Sequence, residues 1–178
     1  MPSPQRVTFS GEHLELARIA QYYNDIEASV RSYFSLGSSS SIARFAGYSR
    51  YEVEREMGLT LEEHARNTSM SVLAALEAAF RIDYLQRCYK RLRDPLSRAF
   101  RYTHHDKGVR IPLEDIFSLW KLHWNISASV ISDLERVFRY RHWLAHGRYW
   151  TPKIGREYDY GDIYALAESV YDGFPFEE

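Results

Sequence analysis

Apolar side chains recur at helical spacing along most of the chain, and this periodicity is the strongest constraint on its fold. The longest run covers residues 68–94, and a second strong run covers residues 126–147. In both, apolar residues return every three or four positions, which places them on one face of a helix. The two stripes consist of Leu73, Leu76, Phe80, Tyr84 and Cys88, and of Ile126, Val130, Leu134, Val137, Phe138 and Leu144. These runs predict the two principal helices.

Shorter segments with the same spacing flank these two runs. They lie at residues 13–34, 49–58, 60–67, 113–124 and 162–174. No stretch alternates apolar and polar residues in the way that a half-buried strand does. We therefore predict an all-α protein, a helical bundle of about five to six helices, that forms one domain over residues 1–178.

Residue types that start and stop helices set the predicted boundaries. Gly58 predicts the end of one short helix, and Thr60 followed by Glu63 has the pattern of a capping box that starts the next. Pro95 predicts a break or kink after the long run, because proline cannot continue a helix. Gly147 suits the left-handed residue that ends a helix. The predicted loops are residues 36–41, whose serines can cap a short helical piece, and residues 104–112.

Cysteine content and hydropathy restrict the cellular setting. Cys88 is the only cysteine among the 178 residues, which excludes an intramolecular disulfide and a cysteine-based zinc site. A single unpaired cysteine fits a reducing compartment. The first residues lack an apolar run of signal-peptide length, and no segment is long and apolar enough to span a bilayer. We predict a cytoplasmic protein that does not insert into membranes.

Charge is unevenly distributed along a chain whose formal net charge is only −1. Nine Lys and Arg residues lie within residues 81–110 against three Asp, whereas residues 157–178 hold seven acidic residues and no Lys or Arg. The arginines of residues 136–148 form a second basic group. Such asymmetry predicts either a local basic surface for a polyanion or a solvated helix face.

Several common types of active site are missing from the sequence. The chain has no Gly-rich phosphate-binding loop and no nucleophile elbow of the GxSxG type. No set of His, Asp and Glu residues has the spacing of metal ligands, so we predict neither a metal nor a cofactor. The adjacent His104 and His105 are assigned no role.

The segment RHWLAHG, residues 141–147, places charged residues where the helix should be apolar. Arg141 lies four residues after Val137 and therefore falls on the apolar stripe, where a guanidinium needs a partner. Glu77 is the matching exception on the long run, four residues after Leu73. We expect an interhelical Arg141–Glu77 pair, and the alternative is a local pair between Glu77 and Arg81.

His146 lies at the predicted C-terminus of the same helix. The helix dipole favours its charged form there, which keeps the imidazole titratable near neutral pH. Five residues at about 100° each place Arg141 and His146 roughly 140° apart around an ideal helix. The two side chains therefore cannot share one face of that helix, and a site that uses both needs more than one surface.

The segment RHWLAHG resembles the signature of the HEPN superfamily, small all-α domains with an Arg, four to six residues and a His on a late helix. Its residue after the Arg is commonly Asn, Asp or His, and His142 fits. The segment SVLAALEAAFRIDYLQR, residues 71–87, resembles the preceding core helix of that family, with Glu77 as the polar residue that approaches the Arg. The resemblance covers about residues 68–150.

This resemblance implies a metal-independent endoribonuclease that works as a two-fold homodimer, with the Arg–His pairs of both protomers lining one cleft. It implies that His146 acts as base or acid and that Arg141 stabilises the phosphate charge, while Glu77 orients Arg141. His142 would be an auxiliary hydrogen-bonding residue. The expected substrate is RNA, because only RNA carries the 2′-hydroxyl nucleophile. Residues expected to bind it are Arg139, Arg148 and Tyr149.

The HEPN resemblance also implies a role as a toxin or phage-defence effector, with a protein antitoxin as a possible partner. Family members that are inhibited by adenylylation carry a Tyr two residues after the His. Here that position is Arg148 and the tyrosine is Tyr149, which argues against this form of inhibition. Two other interpretations stay open: a non-catalytic HEPN-like nucleotide-binding, RNA-binding or adaptor module, and an unrelated bundle in which the motif is accidental.

Overall fold

A computed structural model describes residues 6–35 and 37–177, and within these ranges it contains seven helices and no strand. The all-α prediction is confirmed, with more helices than the five to six expected. The helices are α1 (Leu16–Phe34), α2 (Ser39–Arg44), α3 (Arg50–Tyr89), α4 (Pro95–Lys107), α5 (Leu113–His123), α6 (Ala128–Ala145) and α7 (Tyr160–Gly173). No helix in these ranges has both the length and the apolar character needed to cross a membrane.

Helix α3 is one continuous element of 40 residues, so the predicted break at Gly58 is wrong. The predicted cap at Thr60 is also wrong, because its hydroxyl donates to the Glu56 carbonyl oxygen at 2.9 Å inside the helix. The helix begins instead at a capping box formed by Ser49 and Glu52. A glycine inside a helix costs only about 1 kcal/mol, which packing on both sides of Gly58 outweighs.

The other boundaries differ from the predictions by a few residues. Helix α3 ends at Tyr89 rather than near residue 94, and Pro95 is the first residue of α4, where its missing N–H costs nothing. The predicted loop at residues 104–112 is shorter than expected, because α4 continues to Lys107. The predicted capping of a short helix by the serine run is confirmed, with Ser38 as the cap of α2.

Helix α3 is the central element of the fold. At 1.5 Å per residue it is about 60 Å long. Its first half packs against α1, and a small separate apolar cluster joins these helices to α2 through Phe34, Phe45 and Val53. Its second half contacts α4, α5, α6 and α7. The main core forms there around Leu73, Leu76 and Phe80, which are fully buried.

A buried ion pair lies at the C-terminal end of this core. Arg87 donates from Nε to Oδ1 of Asp83 at 2.7 Å and from Nη2 to the carbonyl oxygen of Pro175 at 2.6 Å. The guanidinium carbon lies 5.2 Å from the ring centroid of Trp120 in α5. The backbone N–H of Glu177 donates to the same Asp83 oxygen at 2.9 Å. The pair therefore connects α3 and α5 to the C-terminal segment.

Gly58→Ala should raise the stability of the protein. The position is exposed, has no atom within 4 Å of an added Cβ, and lies in a helix interior where alanine is favoured over glycine. We expect the free energy of unfolding to rise by roughly 0.5–1 kcal/mol, measured by urea denaturation. An unchanged or lower denaturation midpoint would contradict the continuous helix at this position.

Asp83 should make the stability depend on pH in the mildly acidic range. Burial raises the pKa of Asp83 to about 6, against the opposing effects of the Glu177 amide and Arg87. The folded state therefore keeps a proton that the unfolded chain loses, and the contribution of this group to the free energy of unfolding falls as pH rises from about 4 to 6. Denaturation across this range should show that slope, and it should be reduced in Asp83→Asn.

Candidate functional site

The C-terminal end of α6 has the predicted glycine-terminated geometry. Gly147 has a φ of 80°, and the N–H of Arg148 donates to the Trp143 carbonyl oxygen at 3.2 Å, which is the Schellman pattern. His146 is the residue that caps the helix, directly after Ala145. Arg148 also has a positive φ, of 58°. This turn reverses the chain and directs the following loop back along α6.

Arg141 contacts Glu77 as expected, and Glu77 also makes the alternative contact with Arg81. Oε2 of Glu77 lies 3.2 Å from Nη2 of Arg141, and Oε1 accepts from Nε of Arg81 at 2.8 Å. Arg81 donates further to the carbonyl oxygen of Ile111, at 3.2 Å. One carboxylate thus holds two guanidinium groups, which leaves a positive charge beyond what it neutralises.

These side chains lie in a cleft of about 770 Å³ between α3, α6 and the loop after α6, which we call the Arg141 cleft. Its charged lining consists of Arg81, Arg139, Arg141 and Lys153 against Glu77 and Glu114. His142 and Trp150 complete the polar and aromatic part of the wall. Four cations against two carboxylates make the cleft net positive, which suits an anionic ligand.

Arg141 itself is only partly exposed, with 36% of its side chain accessible. Its Nε is buried and has no hydrogen-bond partner among the described residues. An unpaired donor on a buried nitrogen costs free energy that a ligand oxygen or a small rotation of the guanidinium can recover. Arg141 is therefore held near the ligand-accessible space but not fully satisfied by the protein.

His146 does not line the Arg141 cleft. Its ring is exposed and lies 4.2 Å, centroid to centroid, from the ring of His142, which does line the cleft. His142 also lies 5.9 Å from the ring of Trp150. Arg141 and His142 thus line the cleft, whereas His146 lies outside it with its ring tilted by 50° relative to that of His142. This placement agrees with the angular separation expected from the sequence.

The three residues expected to bind RNA lie in different environments. Arg139 is exposed and lines the Arg141 cleft, and Tyr149 is 84% exposed. Arg148 is already engaged, because its two terminal nitrogens donate to both oxygens of Glu63 on α3, at 2.6 and 3.0 Å. This bidentate pair fixes the loop after α6 to α3, and its guanidinium is less available to a phosphate than that of Arg139.

The structure adds residues that sequence reasoning did not select. Lys153 joins the Arg141 cleft from an irregular loop, and Glu63 binds Arg148 from 85 residues away, so neither had a local signal. Arg81 was considered only as an alternative partner of Glu77. Trp150 places its carbonyl oxygen 2.6 Å from Nε1 of Trp143, which anchors the loop that forms one wall.

Within the described ranges, no group of three or more His, Cys, Asp and Glu side chains is arranged to hold a metal ion. Comparison of the chain with protein-family models, curated proteins and solved structures gave no match. The roles assigned to Arg141, His146, His142 and Glu77 therefore remain predictions that depend on the motif and on the geometry described above.

Arg148→Ala should raise the pKa of the Glu63 carboxyl. Hydrogen bonding from Arg148 is the main reason that this pKa is lowered below its ordinary value, with Arg66 contributing less. The pKa of Glu63 is therefore lower in the folded protein than in the unfolded chain. The pair stabilises the fold at pH values above the unfolded-state pKa, and this contribution is lost as the pH falls through the folded-state pKa. Side-chain carbon NMR should show Glu63 titrating at higher pH in Arg148→Ala and shifting less in Arg66→Ala.

Proposed function

We propose that the protein is a metal-independent endoribonuclease of the HEPN type, a homodimer that acts in the cytoplasm as a toxin or phage-defence effector. The observation that carries this proposal is the Arg141 cleft. There a guanidinium on the apolar side of α6 is held by Glu77 within a net positive wall, and His142 and His146 follow it at the end of the same helix.

The chemistry needs a base, an acid and a positive group at the phosphate. A histidine accepts the proton of the ribose 2′-hydroxyl, and the 2′-oxygen forms a bond to phosphorus. The bond from phosphorus to the 5′-oxygen breaks, and a general acid, distinct from the histidine that acts as base, protonates the leaving 5′-oxygen. The products are a 2′,3′-cyclic phosphate and a 5′-hydroxyl. Arg141 stabilises the added negative charge on the phosphate oxygens as this happens.

A two-fold dimer explains how His146 takes part although it lies outside the Arg141 cleft of its own chain. Two exposed His146 rings and two Arg141 guanidinium groups face a shared phosphate if the axis passes close to the ends of the two α6 helices. His142, whose ring contacts that of His146 at 4.2 Å between centroids, then orients the His146 imidazole and bonds to the substrate. Arg139 and Tyr149 bind flanking phosphate and base.

The contacts of the arginines favour one alternative function. Arg141 and Arg148 are both paired with carboxylates of α3, Glu77 and Glu63. These are also the contacts expected of arginines that only organise the bundle and a dimer. A non-catalytic HEPN-like module for RNA, a nucleotide or a protein partner such as an antitoxin would keep these pairs and leave RNA intact.

Cleavage of RNA in EDTA tests the proposal. Purified protein should cut RNA, leave single-stranded DNA intact and produce cyclic phosphate ends detectable by mass spectrometry. His146→Ala should lower the rate by roughly 10²–10⁴-fold and Arg141→Ala by roughly 10²–10³-fold, because they remove proton transfer and charge stabilisation respectively. Circular dichroism should show that both variants keep their helices.

Arg55→Ala, purified in parallel, is the control for contaminating nuclease, since Arg55 is exposed on α3 in the half that packs against α1. It should cut as fast as the wild type. Intact RNA with the wild type, or equal cutting by all variants, would rule out the nuclease. A dimer that leaves RNA intact and that Arg141→Ala weakens would identify the adaptor. A monomer at micromolar concentration by sedimentation would contradict the shared site.

A further inference from the structure

A second cavity of the described chain lies away from the Arg141 cleft. It has a volume of about 1380 Å³ and is formed by the turn after α3, the C-terminal end of α4, the loop that follows α4 and the segment before α1. We call it the basic cleft, because its charged lining consists of Arg6, Arg91, Arg101, Lys107 and Arg110 against a single carboxylate, Asp106. None of these residues was selected as a site residue from the sequence.

Most of this positive charge is not neutralised by the described residues. Among them, Lys107 alone of the five cations has a carboxylate partner, Asp115, at 2.7 Å. Arg101 donates to the carbonyl oxygen of Leu92, which carries no net charge. Among the described residues, neither a carboxylate nor a hydrogen-bond acceptor contacts the side chain of Arg91 or of Arg110. Several unpaired cations around one concave surface repel each other, and a bound polyanion removes that repulsion.

The backbone at Arg91 gives independent support. Arg91 has a φ of 52°, in the left-handed region that favours glycine. It occupies the position after the last turn of α3 where a Schellman motif usually has glycine, with the Leu92 N–H directed at the Arg87 carbonyl oxygen at 3.4 Å. An arginine here costs backbone free energy and forms no ion pair with any described residue, and strained residues of this kind cluster at functional sites.

The opposite wall is fixed by the segment before α1. The N–H of Val7 donates to the Tyr89 hydroxyl at 3.0 Å, and the Arg6 guanidinium carbon lies 5.0 Å from the centroid of the Tyr89 ring. Arg6 therefore faces the cleft from a different part of the chain than Arg91 and Arg110. In the same wall His104 is 91% buried, and its Nε2 has no hydrogen-bond partner among the described residues.

We propose that the basic cleft is a second binding site, separate from the Arg141 cleft, that takes clustered phosphate groups. Arginine matches this ligand because its planar guanidinium binds two phosphate oxygens at once. A nucleoside triphosphate and the backbone of a single nucleic-acid strand both present such groups. The proposal does not depend on RNA cleavage, since no hydroxyl nucleophile is needed for binding.

The test measures binding of two probes that differ in how their phosphates are arranged. Titration with ATP is followed by calorimetry, and a short fluorescein-labelled single-stranded DNA is followed by anisotropy in rising salt. Arg91→Gly and Arg110→Ala should each weaken binding of the favoured probe about tenfold, because each removes a charge-assisted contact to phosphate. For the DNA probe, each should also reduce the slope of affinity against salt by about one phosphate contact.

Arg91→Gly separates loss of ligand contact from loss of folding. Glycine relieves the left-handed backbone, so the thermal midpoint should stay the same or rise while affinity falls. Arg55→Ala is the matched control, because Arg55 is exposed on α3, about 51 Å along that helix from its last residue, Tyr89, at 1.5 Å per residue. It should bind both probes like the wild type.

The results distinguish the sources of phosphate and the two proposals. If ATP binding is saturable and both cleft variants weaken it, the ligand is a compact polyphosphate. If the variants weaken only the binding of DNA, the ligand is a single nucleic-acid strand. Equal binding by wild type and both variants, or loss only in Arg141→Ala, would overturn the site. If the protein cuts RNA but neither cleft variant changes the binding of ATP or DNA, the nuclease is kept and the basic cleft is rejected. The reverse result would keep the cleft and reject the nuclease.

Discussion

The ion pair between Asp83 and Arg87 is the interaction on which the arrangement of the helices depends. Both side chains are buried, with 0% and 3% exposed, so neither charge is solvated by water. A buried pair is stable only when hydrogen bonds satisfy the remaining donors and acceptors. Ser97 of α4 and the backbone of Pro175 and Glu177 supply such partners, whereas Oδ2 of Asp83 is buried and has no hydrogen-bond partner among the described residues. The charges thus specify which segments meet at the end of α3.

Both clefts follow from this arrangement because both use α3. Glu77 and Arg81 form part of the Arg141 cleft, and Cys88, Tyr89 and Arg91 form part of the basic cleft. Glu77 and Tyr89, the last residue of α3, are separated along the helix by about 18 Å at 1.5 Å per residue. A rigid helix, fixed to α4, α5 and the C-terminal segment by the buried pair, keeps the two clefts at a constant separation. The two clefts have no lining residue in common, so ligands can occupy both without contacting the same side chains.

The sequence was sufficient for features that depend on local periodicity and was insufficient for features that depend on distant partners. The stripe of the long run is buried at Leu73, Leu76 and Phe80 as expected, and the turn that terminates α6 has Gly147 in the left-handed conformation as expected. The predicted helix end at Gly58 was wrong, because the cost of about 1 kcal/mol for a glycine inside a helix is smaller than the packing energy of a long helix. The pairing of Glu63 with Arg148 depends on how two helices cross, which no local pattern encodes. The left-handed conformation of Arg91 was likewise unpredictable, since arginine rarely adopts it.

The arginines of this protein differ in how far their charge is already compensated, and that difference decides what each can do. Arg87 is surrounded by a carboxylate, a carbonyl oxygen and the rings of Trp120 and Trp124, so its charge is used within the fold. Arg141 shares one carboxylate with Arg81, and its Nε has no hydrogen-bond partner within the part of the chain that the structure describes. Arg91 has no compensating carboxylate among the described residues and has a left-handed backbone conformation. A guanidinium group whose charge and donors are already paired within the protein gains little from contact with a further anion. We therefore expect ligand binding at Arg141 and Arg91 and not at Arg87.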